Sequence, residues 1–256
     1  MNIYIFDGSF EGFMTVSHML IRDKAEAFSI VPQCSYSPDL FCQPCFVSTD
    51  VAAFKEILDY LEHYFPREVM RYLTRAFLSE IDGIYLKLHH YILAAIQYGR
   101  EVDRYLTHDA VSAVHDAARK VGTEAHRLKG LVRFRELKDS IFYSPIAPDH
   151  NVLLSVAQHF TVRLRDQLWI LHDVGRNEAC FWNKTKLLDA DIMDPAFKRL
   201  NSAAGIAPEK LSENELNFSN LWQTFFDHVA IPERTNSKLQ RRLMPHRYWK
   251  YLTENV

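Results

Sequence analysis

The sequence lacks the features that mark a membrane protein or a secreted protein. Over 256 residues, no apolar run reaches the roughly 18 residues needed to span a bilayer. The opening stretch, MNIYIFDGSF, has no basic segment in front of its apolar residues and so does not resemble a signal peptide. Four cysteines without such a signal are typical of a reducing compartment. We therefore expect a cytoplasmic protein with no membrane partner.

The chain also lacks a complete zinc or iron–sulfur motif. Cys42 and Cys45 have the CxxC spacing of half a zinc site, and Cys34 is a third thiol nearby, but no second CxxC exists. The spacing is not the CxxxCxxC that radical enzymes use to hold an iron–sulfur cluster. Because a fourth ligand is missing, we expect ordinary reduced cysteines, no metal and no cofactor.

No internal repeat and no low-complexity tract is present, and the composition is that of a globular protein. A hydrophobic content of 48% against a charged content of 24% leaves ample apolar sequence for a core. We expect a single domain over residues 1–256. The alternative is a subdivision into a mainly helical part, 1–107, and a basic part, 108–256, that contains a sheet and a helical C-terminal segment.

The net charge of −2 conceals two strongly basic stretches. Residues 118–138 contain seven lysines and arginines against two glutamates, and residues 233–250 contain six against one glutamate. Everything outside these stretches is therefore acidic on balance. Such a separation of sign indicates that local charge, and not the net charge, decides which partners this protein attracts.

A long amphipathic helix is predicted upstream of Gly130. Its apolar stripe recurs at three- and four-residue steps and comprises Val111, Val114, Ala118, Val121, Ala125 and Leu128. At about 100° per residue, His115, Arg119 and His126 lie together on one flank of this stripe. Gly122 costs up to about 1 kcal/mol inside a helix, which indicates that another group approaches it closely.

The periodicities predict an α+β protein that is predominantly helical. Residues 2–6 read as a strand, 23–46 as irregular, and 51–65, 67–78 and 84–98 as helices. Further strands are expected at 131–137, 141–146, 168–174 and 179–182, with Arg133 and Arg135 on one face of the first. We expect helices packed on this small, mainly antiparallel sheet, with the N-terminal strand as a candidate additional member.

The sequence resembles a bacterial family whose members share several of its motifs. These are YIFDGSFEG, VSTD, AFLSE, VGTEAHRLKGLVRF, APDHNVL, AQHFTVRLRDQLWILHD and LWQTFFDHVAIPERTNSKLQRRLMPHRYWKYL. The family is uncharacterised and associated with DNA metabolism. The resemblance implies a gene neighbour that encodes a radical-SAM enzyme of DNA repair or modification. Some members are fused to a domain of the uracil-DNA-glycosylase superfamily.

The first hypothesis is a DNA-binding protein of DNA repair that acts with the radical-SAM enzyme. Cationic side chains would contact phosphates, and aromatic rings such as Phe134, Tyr248 and Trp249 could stack on exposed bases. The candidate phosphate-binding residues are Arg119, Arg127, Lys129, Arg133, Arg135, Arg163 and Arg176. The alternative is that the chain's own acidic side chains neutralise these cations.

The second hypothesis is an enzyme that processes nucleic acid. The acid–base candidates are His126, His159, His172, Asp173 and Glu124, with Arg127, Arg163 and Arg176 as anion clamps. Asp149, His150 and His159 are an alternative set of metal ligands. Each histidine taken alone is more typical of a hydrogen-bonded core residue than of a catalyst.

The third hypothesis is a non-catalytic scaffold that docks the radical-SAM enzyme through its aromatic C-terminal segment. The candidate anchors are Trp222, Phe225, Phe226, Tyr248 and Trp249. Their alternative role is in the core. Exposure of several of these rings would favour docking.

Overall fold

The structure is a computed structural model that describes residues 2–38, 40–190, 201–202, 205–206, 208–231 and 234–253. The chain packs as two compact units, Met1–Gly122 and Thr123–Val256. Their boundary falls inside a helix, Asp109–Leu131. The subdivision into residues 1–107 and 108–256 stays a prediction. The interpretation of residues 1–256 as a single domain stays a prediction.

The first unit contains a three-stranded parallel sheet. Its strands are β1 (Asn2–Phe6), β2 (Ser29–Pro32) and β3 (Gln43–Phe46), in the order β2-β1-β3. The N-terminal strand therefore belongs to a sheet of its own, contrary to expectation. The prediction of an irregular segment is wrong at β2 and β3. Both β2 and β3 contain a proline. Proline disfavours a strand because it has no backbone N–H to donate.

The helices of the first unit lie between β1 and β2 and after β3, and the last of them continues into the second unit. They are α1 (Phe10–Asp23), α2 (Val51–Tyr64), α3 (Arg67–Phe77), α4 (Ile84–Tyr98) and α5 (Asp109–Leu131). Ser9 caps α1 by accepting a hydrogen bond from the Gly12 N–H at 2.9 Å. The side chain of Asp50 caps α2 in the same way. The helices predicted at 51–65, 67–78 and 84–98 are confirmed within one residue at each end.

An aromatic cluster forms the centre of the first unit. The rings of Phe6 and Tyr85 lie 5.1 Å apart and those of Phe77 and Tyr85 5.5 Å apart, in edge-to-face arrangements. Burial raises the pKa of Tyr85 to about 12.

The apolar stripe predicted for α5 is confirmed, since Val111, Val114 and the other members are all buried.

The second unit contains a five-stranded mixed sheet and the helix α6 (Leu153–Arg163). The strand order is β4-β5-β6-β7-β8. The strands are β4 (Arg135–Glu136), β5 (Phe142–Ile146), β6 (Trp169–Asp173), β7 (Glu178–Trp182) and β8 (Leu187–Ala190). A separate antiparallel pair joins β9 (Asn201–Ser202) to β10 (Gly205–Ile206).

The expectation of a mainly antiparallel sheet is wrong. The first unit's sheet is wholly parallel, and β5 pairs with β6 in parallel in the second. The physical reason is α6, which carries the chain from the end of β5 back to the start of β6. Such a helical crossover produces parallel neighbours, whereas β6 and β7 are joined by a tight turn and are antiparallel.

The strand predicted at residues 131–137 is reduced to two residues. Helix α5 continues to Leu131, and the Val132 N–H still donates to the Leu128 carbonyl at 2.9 Å. Only Arg135 and Glu136 pair with β5. Arg133 therefore precedes the strand, and the predicted strand face shared by Arg133 and Arg135 does not form.

The C-terminal part is helical. It comprises α7 (Glu213–Val229), α8 (Ser237–Leu243) and a 3₁₀ segment, His246–Tyr251. The side chain of Ser212 caps α7 by accepting from the Glu215 N–H at 3.0 Å. Within the described residues, no helix is both long enough and apolar enough to cross a membrane.

His89 should make stability depend on pH. It is buried in α4, its Nδ1 has no hydrogen-bond partner among the described residues, and burial, with a smaller contribution from His90, lowers its pKa from 6.5 to about 4. Between pH 6.5 and 4, His89 therefore binds a proton in the unfolded chain but not in the folded chain. We expect this residue to remove roughly 3 kcal/mol of unfolding free energy between pH 6.5 and 4.

The measurement is urea unfolding, followed by circular dichroism, across that pH range. His89→Leu should flatten the pH profile relative to wild type, whereas the exposed His63→Gln should leave it unchanged. Equal slopes for wild type and His89→Leu would contradict the prediction.

Candidate anion-binding site

A half-open cavity of about 440 Å³ lies in the first unit, with walls from α3 and α5. Helix α3 buries Val69 and Leu73, which turns Arg71 and Arg75, one helical turn apart, away from the core. Both arginines line the cavity together with Tyr72. The amphipathic pattern of α3 therefore places two guanidinium groups on the same wall.

Helix α5 supplies the opposite wall. Ser112, His115 and Arg119 line the cavity and follow one another at three- and four-residue steps, which places them along one face of the helix. The neighbouring stripe of α5 is buried, so these polar residues face away from the core. Leu106 and Ala118 complete the lining with apolar surface.

The charge of the cavity is strongly positive. Three guanidinium groups line it against one carboxylate, that of Asp116. Asp116 pairs with Arg119 at 3.0 Å, but both side chains are largely exposed and such a pair contributes only about 0.2–1 kcal/mol. Among the described residues, no carboxylate lies within ion-pair distance of Arg71 or Arg75. An anionic ligand would therefore meet two guanidinium groups, those of Arg71 and Arg75, whose charge no described carboxylate compensates.

The histidine in the wall is held by a hydrogen-bonded network. His115 Nε2 lies 2.7 Å from Asp103 Oδ1, which also accepts the Tyr91 hydroxyl at 2.6 Å. Because a carboxylate only accepts, Nε2 carries the hydrogen of this contact. The Tyr72 ring stacks on His115 at 4.0 Å. These contacts fix the imidazole in one orientation at the cavity wall.

Gly122 is explained by the same site. A Cβ built at Gly122 would lie 3.5 Å from Arg75 Nη1. The group predicted to approach this glycine is therefore the guanidinium of Arg75.

Only one residue of this cavity, Arg119, belongs to the set predicted from sequence. Arg71, Arg75, Ser112 and His115 were not assigned to a site. The signal that could have found two of them is the spacing of Arg71 and Arg75 on the polar face of a strongly amphipathic helix. No local pattern indicates that this face lies opposite Arg119.

Two predicted phosphate contacts are held by the protein's own groups in the second unit. Arg135 is half-buried 3.7 Å from the buried carboxylate of Glu215. Burial lowers the pKa of Arg135, and Glu215 opposes this effect. Arg133 donates to the backbone carbonyls of Gly130 and Val132 at the end of α5, at 3.0 and 3.3 Å. The contacts of Arg133 and Arg135 stabilise the chain between α5 and β4.

Arg176 has more hydrogen-bond partners within the protein than Arg133 and Arg135 have in the contacts given above. It pairs at 3.0 Å with Asp173, which is fully buried and also accepts the Gly175 N–H. The guanidinium donates further to the carbonyls of Pro148 and Asp149, at 3.2 and 3.0 Å. These bonds favour a structural role for both Asp173 and Arg176.

Three predicted cations have no ion pair with a described residue. Arg163 is exposed on α6, and Arg127 and Lys129 are half-buried on α5. Their role as phosphate contacts stays a prediction.

Glu124, predicted as an acid–base group, is the centre of a buried network. It is 5% exposed and accepts hydrogen bonds from the backbone N–H groups of Asp149 and His150, from Arg247, all at 2.9 Å, and from the Tyr248 hydroxyl. Burial alone would raise the pKa of Glu124, but the four donors outweigh it and lower the pKa. A carboxylate held as an anion in this way joins α5, the loop before α6 and the C-terminal 3₁₀ segment.

The three predicted catalytic histidines occupy different environments. His126 is exposed on α5, and His159 is half-buried on α6 beside Phe160. His172 is buried in β6, where Nδ1 lies 2.6 Å from the Tyr143 hydroxyl, and burial lowers its pKa while Asp173 opposes the shift. No hydrogen bond or ring contact between described residues joins these histidines to one another.

Among the alternative metal ligands Asp149, His150 and His159, the side chain of Asp149 is engaged in an ion pair. Asp149 pairs with Arg247 at 2.7 Å, and the backbone of His150 donates to Glu124. Within the described ranges, no group of three or more histidine, cysteine or acidic side chains is arranged to hold a metal. Cys34 is an exposed free thiol, and Cys42 and Cys45 are half-buried free thiols.

The profile of a family described as a domain of unknown function, DUF4130, matches residues 83–254, and the chain belongs to this family. Searches of curated proteins and of solved structures give no match. The matched region includes the α5 wall of the cavity. Arg71 and Arg75 of the α3 wall precede it.

Removing the charge of Glu124 should destabilise the second unit. Glu124→Gln places an amide N–H₂ against donors and leaves Arg247 without its buried counter-ion. We expect a loss of roughly 3 kcal/mol in unfolding free energy, measured by urea unfolding. The exposed Asp166→Asn should change it by less than about 0.5 kcal/mol. A Glu124→Gln protein as stable as wild type would show that the network contributes nothing to folding.

Proposed function

We propose that this protein binds DNA in DNA repair or metabolism, and that Arg71, Arg75 and Arg119 contact its phosphate groups. The observation that carries the proposal is the cavity between α3 and α5, where Arg71 and Arg75 line one wall and no carboxylate of a described residue lies within ion-pair distance of either. Arginine matches the geometry of phosphate oxygens and donates to them in pairs. The family resemblance to proteins of DNA metabolism supports phosphate in DNA as the anion.

The proposal moves the primary contact away from the stretch around residues 133–135. Arg135 and Arg176 lie beside buried carboxylates, and a phosphate would have to compete with those partners. Breaking such a pair leaves a buried charge uncompensated, which costs about 3–5 kcal/mol. The arginines of α3 carry no such cost. Arg127, Lys129 and Arg163 are secondary candidates.

Binding should be electrostatic and should depend on the α3 arginines. For single- and double-stranded oligonucleotides, we expect affinity to fall steeply as salt is raised. Arg71→Ala and Arg75→Ala should each weaken binding by roughly tenfold and reduce the slope of log affinity against log salt by about 1. Fluorescence anisotropy at several salt concentrations measures both quantities.

Arg67→Ala is a matched control, because Arg67 is exposed on the same helix but does not line the cavity. It should change affinity less than about twofold. Arg163→Ala tests the secondary candidates in the second unit. Salt-independent binding, or no binding of either kind of oligonucleotide at low salt, would refute the proposed function.

A second candidate function is docking of the radical-SAM enzyme through α7. Phe218, Leu221, Phe225 and Val229 recur at three- and four-residue steps along this helix, and each is at least 57% exposed. Of the anchors predicted from sequence, Phe225 and Phe226 are exposed, Trp222 and Trp249 are half-buried and Tyr248 is buried. An exposed apolar stripe of this kind fits an apolar groove on a partner protein.

Charges placed in the stripe should abolish this docking. If the purified protein co-elutes with the radical-SAM enzyme on size exclusion, Leu221→Asp and Phe225→Asp should each prevent it, because a carboxylate cannot enter an apolar interface without a large desolvation cost. Val162→Asp is the control, since Val162 is 78% exposed on α6, outside the stripe. Failure of the wild-type proteins to co-elute, or full retention by the α7 variants, would contradict docking through this face.

A further inference from the structure

His115 lines the cavity between α3 and α5, and histidine is the side chain that gains a proton as the pH falls from about 8 to 5. We propose that His115 is a further cationic contact of this cavity and that it takes up a proton when an anion binds there. This inference rests on the proposed function, in which Arg71 and Arg75 contact phosphate, and it adds a residue whose contribution depends on pH.

The contacts of His115 suit a positively charged ring. Its Nε2 lies 2.7 Å from Asp103 Oδ1, so protonation of the imidazole turns this hydrogen bond into an ion pair. Tyr72 stacks on the ring at 4.0 Å, and the face of an aromatic ring attracts a cation. Protonation therefore requires no change of partner at Nε2.

The proton is gained at the other ring nitrogen. In the neutral ring, Nε2 carries the hydrogen that Asp103 accepts, so an incoming proton binds Nδ1. No described residue is hydrogen-bonded to Nδ1 of His115, and the side chain is 19% exposed. The positive charge gained by the ring lies at the cavity wall, where it attracts an anion with or without a direct hydrogen bond.

Charged and titratable groups from four elements surround His115. Asp103, in the 3₁₀ segment Gly99–Arg104, is the anion that pairs with the ring. Tyr91 of α4 donates its hydroxyl to the same carboxylate, and its ring lies 6.4 Å from the imidazole. The remaining groups share the cavity lining with His115 and are Arg71, Tyr72 and Arg75 of α3 and Asp116 and Arg119 of α5.

The uncompensated charge of the α3 arginines couples proton uptake to anion binding. Without a bound anion, Arg71 and Arg75 repel a further positive charge on the same lining. A bound anion cancels this repulsion and attracts the imidazolium, so it favours the protonated ring. By linkage, the protonated ring binds the anion more tightly by the same factor. Affinity for an anion should therefore rise as the pH falls.

The test is the affinity of an oligothymidylate at pH 8 and at pH 5.5, measured by fluorescence anisotropy at constant ionic strength. Neither its phosphodiesters nor its bases change charge in this range, so a change in affinity reports on the protein. We expect the wild type to bind roughly tenfold more tightly at pH 5.5, as for one added charge-assisted contact.

His115→Gln should remove most of this difference, because the amide keeps an N–H donor for Asp103 but cannot take up a proton. His63→Gln is the matched control and should retain the difference, since His63 is exposed on α2 and does not line the cavity. The same pH dependence in His115→Gln as in wild type overturns the inference. Salt-dependent binding that Arg71→Ala weakens would still support the proposed function.

Calorimetry of the wild type in two buffers of different ionisation enthalpy counts the protons directly and does not depend on a variant that folds. At pH 6.5, binding of the strand should take up a fraction of a proton per protein, and no uptake overturns the inference. If no strand binds, the proposed function fails, and sulfate, whose charge is constant in this range, replaces the strand. Proton uptake with sulfate then supports the inference, and its absence overturns it.

Discussion

The second unit buries carboxylates, and a buried carboxylate needs a cation and hydrogen-bond donors beside it. The contacts that supply these partners hold several segments of the unit together. Glu124, Asp173 and Glu215 are each at most 7% exposed. An unpaired ion at such a position would be strongly destabilising, so each lies beside an arginine. The consequence is that the loop before α6 is held from two sides. Glu124 accepts its N–H groups, and Arg176 donates to its carbonyls.

The same requirement separates the basic side chains into two groups. Arginines beside buried carboxylates stabilise the fold, and a ligand could recruit them only by disrupting it. Arg71 and Arg75 are different, because α3 presents them on its polar face and the described residues place no carboxylate within ion-pair distance. A stretch rich in lysine and arginine is therefore not the same thing as a phosphate-binding surface. What matters is whether the cations have partners within the protein.

The cavity and the stripe on α7 differ in chemistry. One is a cationic recess in the first unit, and the other is an exposed row of aromatic and aliphatic side chains in the second. A protein that holds nucleic acid and also recruits an enzyme would need one surface of each kind. Neither surface uses the buried network around Glu124, so variants in the two surfaces should leave folding largely intact and report on binding alone.

The sequence by itself determined the elements whose cause is local. The stripe from Val111 to Leu128 follows from side-chain spacing within a few turns of helix, and the α+β class follows from the mixture of periodicities. Tertiary structure decided what joins distant segments: the parallel pairing of β1 with β2 and β3, the partner of each arginine, and the meeting of α3 with α5. The helical periodicity of α3 and α5 predicts that Arg75 and Arg119 face outward from the core. Only packing of the helices brings them to one cavity, because the energy that selects this arrangement is the burial of the apolar faces behind them.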